Sequence, residues 1–298
     1  MIKKMLMYNP RDRPTALELL DDIWLEKNLD NPKVRIIEVS TEPGLYERGH
    51  IKNAIKFTWH TDLVDTVNRD IISGKNFSKL VQKAGISDDT TVVLYGDKNN
   101  WFAAWGAWIF NIYGQKDVRV LDGGRVKWEK DGRALTTAVP TFSTGNFVAN
   151  KADKSLRATL INDVLPVAKK RVKADLIDIR GADEYNGKIF AAPGFQELAV
   201  RAGHIPGAIN VPWGANVNTD GTFKTVAELK KLYADKGVDG KQNIITYCRI
   251  GERSSLTWFV LSEILGYEVK NYDGSWTEYG NSVGVPIVNN AGTIWGAA

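Results

Sequence analysis

The sequence is poor in cysteine and has no long hydrophobic run. It holds one cysteine in 298 residues, so no disulfide can form within the chain, and a reducing cytoplasm is the expected setting. No stretch approaches the ~20 apolar residues of a membrane span, and the N-terminal residues lack the apolar core of a signal peptide. We therefore expect a cytoplasmic protein that binds no membrane.

A charge excess of one sign is also absent. The 39 lysines and arginines nearly balance the 35 aspartates and glutamates, and the net charge of +4 is scattered along the chain, without the basic stripe typical of nucleic-acid binding. Hydrophobic residues make up 43% of the chain, and ten residues are tryptophan, which is typical of globular rather than disordered proteins. The length predicts two domains.

What the sequence does contain is an internal repeat. Four short segments recur in the same order at a spacing of about 150 residues, which chance resemblance would not preserve. The pairs are 34–39 with 174–179, 49–55 with 203–209, 91–95 with 243–247, and 121–124 with 272–275. The repeat therefore predicts two homologous domains.

Each copy alternates short apolar runs with helical patterns, which predicts βαβ units. The expected fold class is α/β, with a mainly parallel sheet flanked by helices in each domain. Helices are predicted at 77–84, 101–113, 161–170, 226–235 and 254–265. The predicted division is an N-terminal extension at 1–22, a first domain at 23–135, a linker at 136–160 and a second domain at 161–298.

The first twenty residues fit the repeat poorly. They faintly resemble the last helices of a protein kinase lobe, but the chain has no Gly-rich nucleotide loop. We predict instead an appended amphipathic helix from about Thr15 to Asn28, which begins after Pro14 and packs on the first domain.

The lone cysteine, Cys248, follows the apolar run at 244–247 and precedes a predicted helix. An isolated cysteine is more often a small buried side chain than a catalyst, but charged residues follow this one. Arg249 and Arg253, together with a helix N-terminus, lower a thiol pKa, and Gly251 lets the loop turn its amides toward an anion. Cys248 is therefore predicted to act as a thiolate nucleophile.

The first copy of the repeat lacks this chemistry. The alignment of the two copies places Gly96 opposite Cys248 and Asp97 opposite Arg249. An aspartate after a glycine at a strand end is usually a turn or capping residue. The first domain is therefore predicted to be non-catalytic.

Three motifs together resemble those of the tandem-domain rhodaneses, the thiosulfate sulfurtransferases. They are the repeated Gly-His-Ile segment, the Cys-Arg-Ile-Gly-Glu-Arg loop at 248–253 and the Tyr-Asp-Gly-Ser-Trp segment at 272–276. The resemblance covers about residues 24–288 and implies two rhodanese-like domains, of which only the second is catalytic.

The resemblance implies a double displacement. The Cys248 thiolate would take the outer sulfur of thiosulfate, release sulfite, and pass the sulfur from a persulfide to cyanide or a thiol. No metal or organic cofactor is implied. The expected partners are therefore a small-molecule sulfur donor and a nucleophilic acceptor, and we expect a monomer or weak dimer.

Arginines are the expected anion-binding residues. Arg249 and Arg253 are candidates to hold the sulfonate of the donor through paired hydrogen bonds, and Arg180 matches the family's substrate-binding arginine. Glu252 is expected to pair with one of these arginines, and Ser254 or the next serine to cap the following helix. The predicted substrate-binding set around the catalytic Cys248 is Arg180, Arg249, Ile250, Gly251, Glu252, Arg253 and Ser254.

Two polar residues near the motifs are interpreted as structural. His204 recurs as His50, and Asp273 recurs as Asp122, in the copy that has no nucleophile. We therefore expect His204 to brace a turn and Asp273 to serve as a turn or capping residue.

Other activities are left open. Mercaptopyruvate-using relatives typically carry a small uncharged loop, so the charged loop favours thiosulfate, although arginine also binds a carboxylate. Cysteine-dependent phosphatases and arsenate reductases are less favoured, because they place five residues between Cys and Arg, whereas four separate Cys248 from Arg253. A binding module is the non-enzymatic interpretation, since many rhodanese-like domains have lost their cysteine.

Overall fold

The structure, a computed structural model, describes residues 16–196 and 198–295. It contains two α/β domains, each built on a five-stranded sheet in which every strand pair is parallel. Helices cover the sheets, as buried parallel sheets require. The predicted fold class is confirmed.

The first domain has a sheet of order β1-β7-β6-β2-β3 and a separate antiparallel hairpin, β4-β5. Its strands are β1 (Ala16–Leu20), β2 (Val34–Glu38), β3 (Ala54–Lys56), β4 (Val64–Asp65), β5 (Asp70–Ile71), β6 (Thr91–Tyr95) and β7 (Asp117–Leu121). Its helices are α1 (Asp22–Lys27), α2 (Leu45–Arg48), α3 (Trp59–Asp62), α4 (Gly74–Lys83), α5 (Trp101–Ile112) and α6 (Gly124–Lys130), with a 3₁₀ turn at Lys98–Asn100.

The sheet of the second domain repeats the topology of the first. Its strand order, read from the matching edge, is β8-β12-β11-β9-β10. Its strands are β8 (Arg157–Ala158), β9 (Asp175–Asp178), β10 (Ile209–Asn210), β11 (Ile244–Tyr247) and β12 (Val269–Tyr272). Its helices are α7 (Leu165–Ala168), α8 (Ala182–Tyr185), α9 (Val226–Ala234), α10 (Ser254–Phe259) and α11 (Ser275–Asn281). Further turns are 3₁₀ at Lys154–Leu156 and Trp213–Asn216, and π-helical at Leu160–Val164 and Val260–Ile264.

The helix predicted from Thr15 to Asn28 is wrong over residues 16–20. These residues form β1, which pairs in parallel register with β7 from Ala16 opposite Asp117 to Leu20 opposite Leu121. The helix begins only at Asp22, after Asp21 caps it by accepting the Trp24 N–H at 2.8 Å. The free edge of β7 offers a ladder of backbone hydrogen bonds, and this tertiary partner overrides local helix propensity. Thr15 and the segment before it lie outside the described residues.

The two domains share one apolar core. Helix α5 packs on α10 of the other domain, and the rings of Trp101 and Trp213 meet edge to face with centroids 4.2 Å apart. All twelve residues of α5 are buried. Because one sheet can cover only one face of a helix, the remaining burial of α5 depends in part on its contacts with α10. In the part of the chain that the structure describes, no helix is long and apolar enough to span a membrane.

Candidate active site

The candidate site lies at the carboxyl edge of the second sheet, where open α/β sheets place ligands. Strand β11 lies between β9 and β12 and ends at Tyr247, so Cys248 is the first residue beyond it. Residues 248–253, called here the active loop, lead directly into α10, which begins at Ser254. The predicted order of strand, thiol, loop and helix is therefore present.

The active loop turns its amides toward the Cys248 thiol. The Gly251 N–H donates to Sγ at 3.1 Å. Burial by itself raises the pKa of this thiol, but the pKa is lowered below its ordinary value by the charge of Arg253 and by the backbone N–H groups of Gly251, Ser254 and Ile250. The site thus favours the thiolate.

Gly251 is required by the shape of the loop. Its φ of +105° is unfavourable for any residue with a side chain, and a Cβ at this position would lie 2.2 Å from the carbonyl oxygen of Asp273. The glycine therefore lets the loop pack against the segment after β12 while its N–H faces the sulfur.

Ser275 is a site residue that the sequence analysis missed. Its Oγ accepts the Cys248 N–H at 3.0 Å, lies 4.0 Å from Sγ, and donates to the Tyr272 carbonyl at 2.7 Å. Ser275 has a left-handed φ of +51°, and its counterpart in the first domain is Gly124, with φ +53°. The sequence signal that could have identified Ser275 is that the first copy of the repeat has a glycine, Gly124, at the same position.

The two predicted anion-binding arginines of the loop have different settings. Arg253 is buried, with its guanidinium 4.0 Å from Glu184 Oε1 and 5.5 Å from the Trp101 ring centre. Arg249 is partly exposed and donates to the Gln196 carbonyl at 2.7 Å. Arg253 therefore supplies the fixed charge beside the sulfur, and Arg249 fastens the loop to Gln196.

The thiol itself is covered. Cys248 has 0% exposed surface. The ring of Phe195 lies 5.4 Å from the Arg249 guanidinium and 5.8 Å from that of Arg253, and Phe195 is 41% exposed. The structure leaves the sulfur no exposed surface, so a reagent reaches Sγ only when neighbouring groups move.

Glu252 does not pair as predicted. Among the described residues its ion-pair partner is Arg69 of the first domain, with Nη2 3.9 Å from Oε1, rather than an arginine of the active loop or Arg180. Burial and the nearby Cys248 and Asp273 raise the pKa of Glu252 well above its ordinary value, and the charge of Arg69 opposes this. The first domain therefore contributes a charge to the site.

The predicted helix cap is also wrong. Arg253 occupies the N-cap position of α10, and Ser254 is already its first helical residue. Ser254 Oγ instead lies 2.8 Å from the Gly251 carbonyl and 2.6 Å from Asn271 Oδ1. Ser254 thus ties the active loop to β12, while its backbone N–H faces the thiol.

Arg180 is buried and braced. It donates to both carboxylate oxygens of Asp178 and, at 2.7 Å, to the Gly203 carbonyl, and its guanidinium lies 4.6 Å from the Trp276 ring centre. Its Nη1 has no hydrogen-bond partner among the described residues. A substrate contact of Arg180 stays a prediction, and Nη1 is the atom available for it.

Asp273 does more than the predicted capping. It accepts from Arg157 at 2.9 Å and from Arg69 at 3.4 Å, and Arg157 also pairs with Asp70 at 2.6 Å. Arg69 and Asp70 belong to the first domain, so this cluster joins the domains directly behind the active loop. Sequence periodicity gives no sign of it, because its members come from three distant segments.

The histidines behave as the repeat predicts. His204 Nδ1 lies 2.7 Å from the Tyr185 carbonyl and His50 Nδ1 lies 2.9 Å from that of Tyr46, and each ring stacks on its tyrosine. The two histidines therefore brace corresponding turns in the two domains. Among the described residues, no three metal-ligating side chains come together as a metal site.

The corresponding loop of the first domain is closed to this chemistry. A Cβ at Gly96 would lie 2.3 Å from the Val39 carbonyl oxygen, so a side chain has no room there. Asp97 accepts from the Thr41 N–H, the Thr41 hydroxyl and the Glu42 N–H. Asp97 is thus a structural turn residue, as its sequence context predicts.

Comparison with known proteins identifies the fold of both halves. The model of the Rhodanese-like domain matches the chain twice, over residues 22–131 and 165–282. The crystal structure of SseA from Escherichia coli, described as a 3-mercaptopyruvate sulfotransferase, is 26% identical with a TM-score of 0.74 and covers 88% of this chain and 99% of its own.

Two relatives are closer in sequence. The Thermus thermophilus protein named "Sulfur carrier protein TtuD" is 51% identical over 273 residues, which are 90% of this chain and 95% of that protein. A Mycobacterium tuberculosis protein named "Putative thiosulfate sulfurtransferase" is 53% identical over 266 residues, which are 89% of this chain and 95% of the relative.

Proposed function

The chain belongs to the rhodanese family, and on that premise we propose that it transfers the sulfane sulfur of thiosulfate, through a persulfide on Cys248, to cyanide or a thiol. The observation that carries the proposal is the setting of Sγ, which accepts the Gly251 N–H at 3.1 Å beside the charge of Arg253. That setting lowers the pKa of the thiol and prepares a nucleophile.

In the first half-reaction, the Cys248 thiolate attacks the outer sulfur of thiosulfate. A bond forms between Sγ and that sulfur, and the bond to the sulfite sulfur breaks, so sulfite leaves with the electron pair and no proton is needed. The enzyme is left as the Cys248 persulfide anion. Total charge is unchanged, since one anion and one dianion enter and leave.

In the second half-reaction, cyanide or a thiolate attacks the outer sulfur of the persulfide. The new bond forms to the acceptor, and the sulfur–sulfur bond breaks toward Sγ, which returns Cys248 to the thiolate. Backbone N–H groups that are fixed before the reaction stabilise both anions at little reorganisation cost. The amides of residues 250, 251 and 254 supply this environment.

The donor preference rests on charge. Arg253 lies beside the thiol, Arg249 belongs to the same loop, and planar guanidinium groups bind oxyanions through paired hydrogen bonds. Arg180 Nη1 adds a third candidate contact deeper in the domain. A dianionic sulfonate gains more from this setting than a monocarboxylate does, which favours thiosulfate over 3-mercaptopyruvate.

The test is intact-protein mass spectrometry after incubation with thiosulfate. We expect the protein to gain the mass of one sulfur atom, cyanide to remove it, and Cys248→Ser to gain none. The absence of an adduct on the native protein would overturn the proposal. Turnover with the two donors at matched concentration tests the preference, and faster loading from 3-mercaptopyruvate would reverse it.

A further inference from the structure

The hairpin β4-β5 of the first domain reaches the active loop of the second. Arg69 ends the turn between its strands and has a left-handed φ of +53°, which is costly for a residue with a long side chain. A strained residue persists where surrounding contacts hold it, and all the hydrogen bonds described for the Arg69 side chain are to the second domain.

The guanidinium of Arg69 binds the back of the active loop. One amino group, Nη2, donates to the Ile250 carbonyl, and the other, Nη1, donates to the backbone and side-chain oxygens of Asp273 at 3.2 and 3.4 Å. The peptide whose carbonyl is held in this way also carries the Gly251 N–H that donates to Cys248 Sγ. Arg69 therefore fixes the orientation of that peptide.

From these contacts we propose that Arg69 is a positioning residue of the catalytic site, supplied by the domain that has no nucleophile. It holds the peptide between Ile250 and Gly251 so that its N–H faces the sulfur. This role rests on the proposed function, because it assigns Arg69 to the thiolate step of sulfur transfer.

Charges on both sides of the loop set the context. The groups near the thiol are Arg253 and Glu252, and the groups near Glu252 and Asp273 are Arg69, Arg157 and Asp70. Removing Arg69 takes one positive charge from this cluster and frees the Ile250 carbonyl to rotate. Rotation of this peptide moves the Gly251 N–H away from the sulfur, which destabilises the thiolate.

Two variants at Arg69 distinguish the contribution of its side chain from that of its backbone conformation. Asparagine tolerates left-handed φ, so Arg69→Asn deletes the guanidinium without added strain. Arg69→Lys keeps the charge and loses the two-pronged hydrogen bonding. Arg48→Asn is the control, since Arg48 is an exposed arginine of the same domain that pairs with Glu42 at the surface.

The measurement is the thiolate absorbance of the intact protein as a function of pH, with Cys248→Ser as the blank. Because the chain has one cysteine, this absorbance reports one thiol. In Arg69→Asn we expect the midpoint to rise by about half a unit to one unit, a roughly three- to tenfold loss of thiolate at a fixed pH below the midpoint. Arg69→Lys should lie between Asn and the native protein, and Arg48→Asn should not move.

An unmoved midpoint in Arg69→Asn, or an equal shift in Arg48→Asn, overturns the inference. So does a lysine variant no better than asparagine. Melting temperatures of the variants guard against unfolding, which would broaden the titration rather than shift it. The titration uses no sulfur donor, so failure of the native protein to form a persulfide would overturn the proposed function and leave the role of Arg69 in ionisation intact.

Discussion

The loops at 96–101 and 248–253 occupy the same place in two domains of the same topology, yet only one is built for a nucleophile. Gly96 faces the Val39 carbonyl with no room for a side chain, whereas Cys248 points into a ring of amides. Trp101 stands where the repeat has Arg253, and the two side chains meet at the domain interface. The loop that lacks the thiol therefore lies, through Trp101, against the active loop of the other domain.

The hydrogen bonds that cross the interface differ in the same way. In one direction, the Phe223 N–H of the second domain donates to Asp122 of the first at 2.8 Å. In the other, Arg69 of the first domain reaches Asp273 and the active loop. Asp122 and Asp273 are counterparts in the repeat, and each accepts a hydrogen bond from the other domain. Only the donor to Asp273 is a charged side chain, and it lies on the catalytic side.

The largest expected effect comes from making the second loop like the first. Cys248→Gly should reduce thiosulfate-dependent sulfur loading by at least about a thousandfold, because the nucleophile is gone and binding alone remains. Thiocyanate formation from thiosulfate and cyanide measures this, with Cys248→Ser as the variant closest in size. Retention of a tenth of native activity would mean that another group carries the sulfur.

The reverse exchange should cost stability without creating a second site. In Gly96→Cys the new Cβ meets the Val39 carbonyl at 2.3 Å, so we expect the free energy of unfolding to fall by about 1 to 3 kcal/mol. Urea unfolding measures the loss, and mass spectrometry should still find one persulfide per chain. Gly214→Ala is the control, because a Cβ there meets nothing within 4 Å. A second persulfide would show that the first loop was only missing a thiol.

A smaller effect is expected from the charge beside the sulfur. In Arg253→Gln the positive charge no longer opposes burial, so the pKa of Cys248 rises and less thiolate is present at neutral pH. The rising limb of the pH–rate profile of sulfur loading should move to higher pH by about one unit, which is a roughly tenfold loss at a fixed pH on that limb. Arg249→Gln, which loses a contact to the Gln196 carbonyl, should shift the limb less. A limb shifted to lower pH would contradict the assigned role of Arg253.

The smallest effect is expected at Ser275, where the first domain has Gly124. In Ser275→Gly the lost hydrogen bond is offset by relief of left-handed strain, so unfolding free energy should change by less than about 1 kcal/mol. Sulfur loading should fall roughly two- to fivefold, because the Cys248 N–H loses its acceptor. Ser275→Ala keeps the strain, so calorimetry should find it less stable than the glycine variant. The opposite ranking would show that φ is not the cause.

The sequence was sufficient for the elements that carry their own signal. Apolar runs of strand length and helical spacing located β2, β6, β9 and β11 and the helices at α4, α5, α9 and α10, and the repeat identified Cys248 as the changed position. The strand β1 escaped, because a short segment such as 16–20 becomes a strand only through a partner about a hundred residues away.

The site residues that escaped share a physical cause. Arg69 acts through a carbonyl in the other domain, and Ser275 through a backbone N–H of another segment. Neither contact has a sequence spacing, since both depend on how the domains or elements pack. For Arg180 the sequence identifies the position in the motif. The ion pair with Asp178 that restrains its side chain is established by the structure.

Helix α5 is enclosed on every side, and part of that enclosure comes from α10. A truncated polypeptide ending after residue 135 would leave the tryptophan-rich face of this helix to water, and one beginning near 160 would strip the apolar face of α10 as well. We therefore expect neither half to fold on its own. The domain that lacks the nucleophile thus supplies part of the core on which the catalytic domain packs.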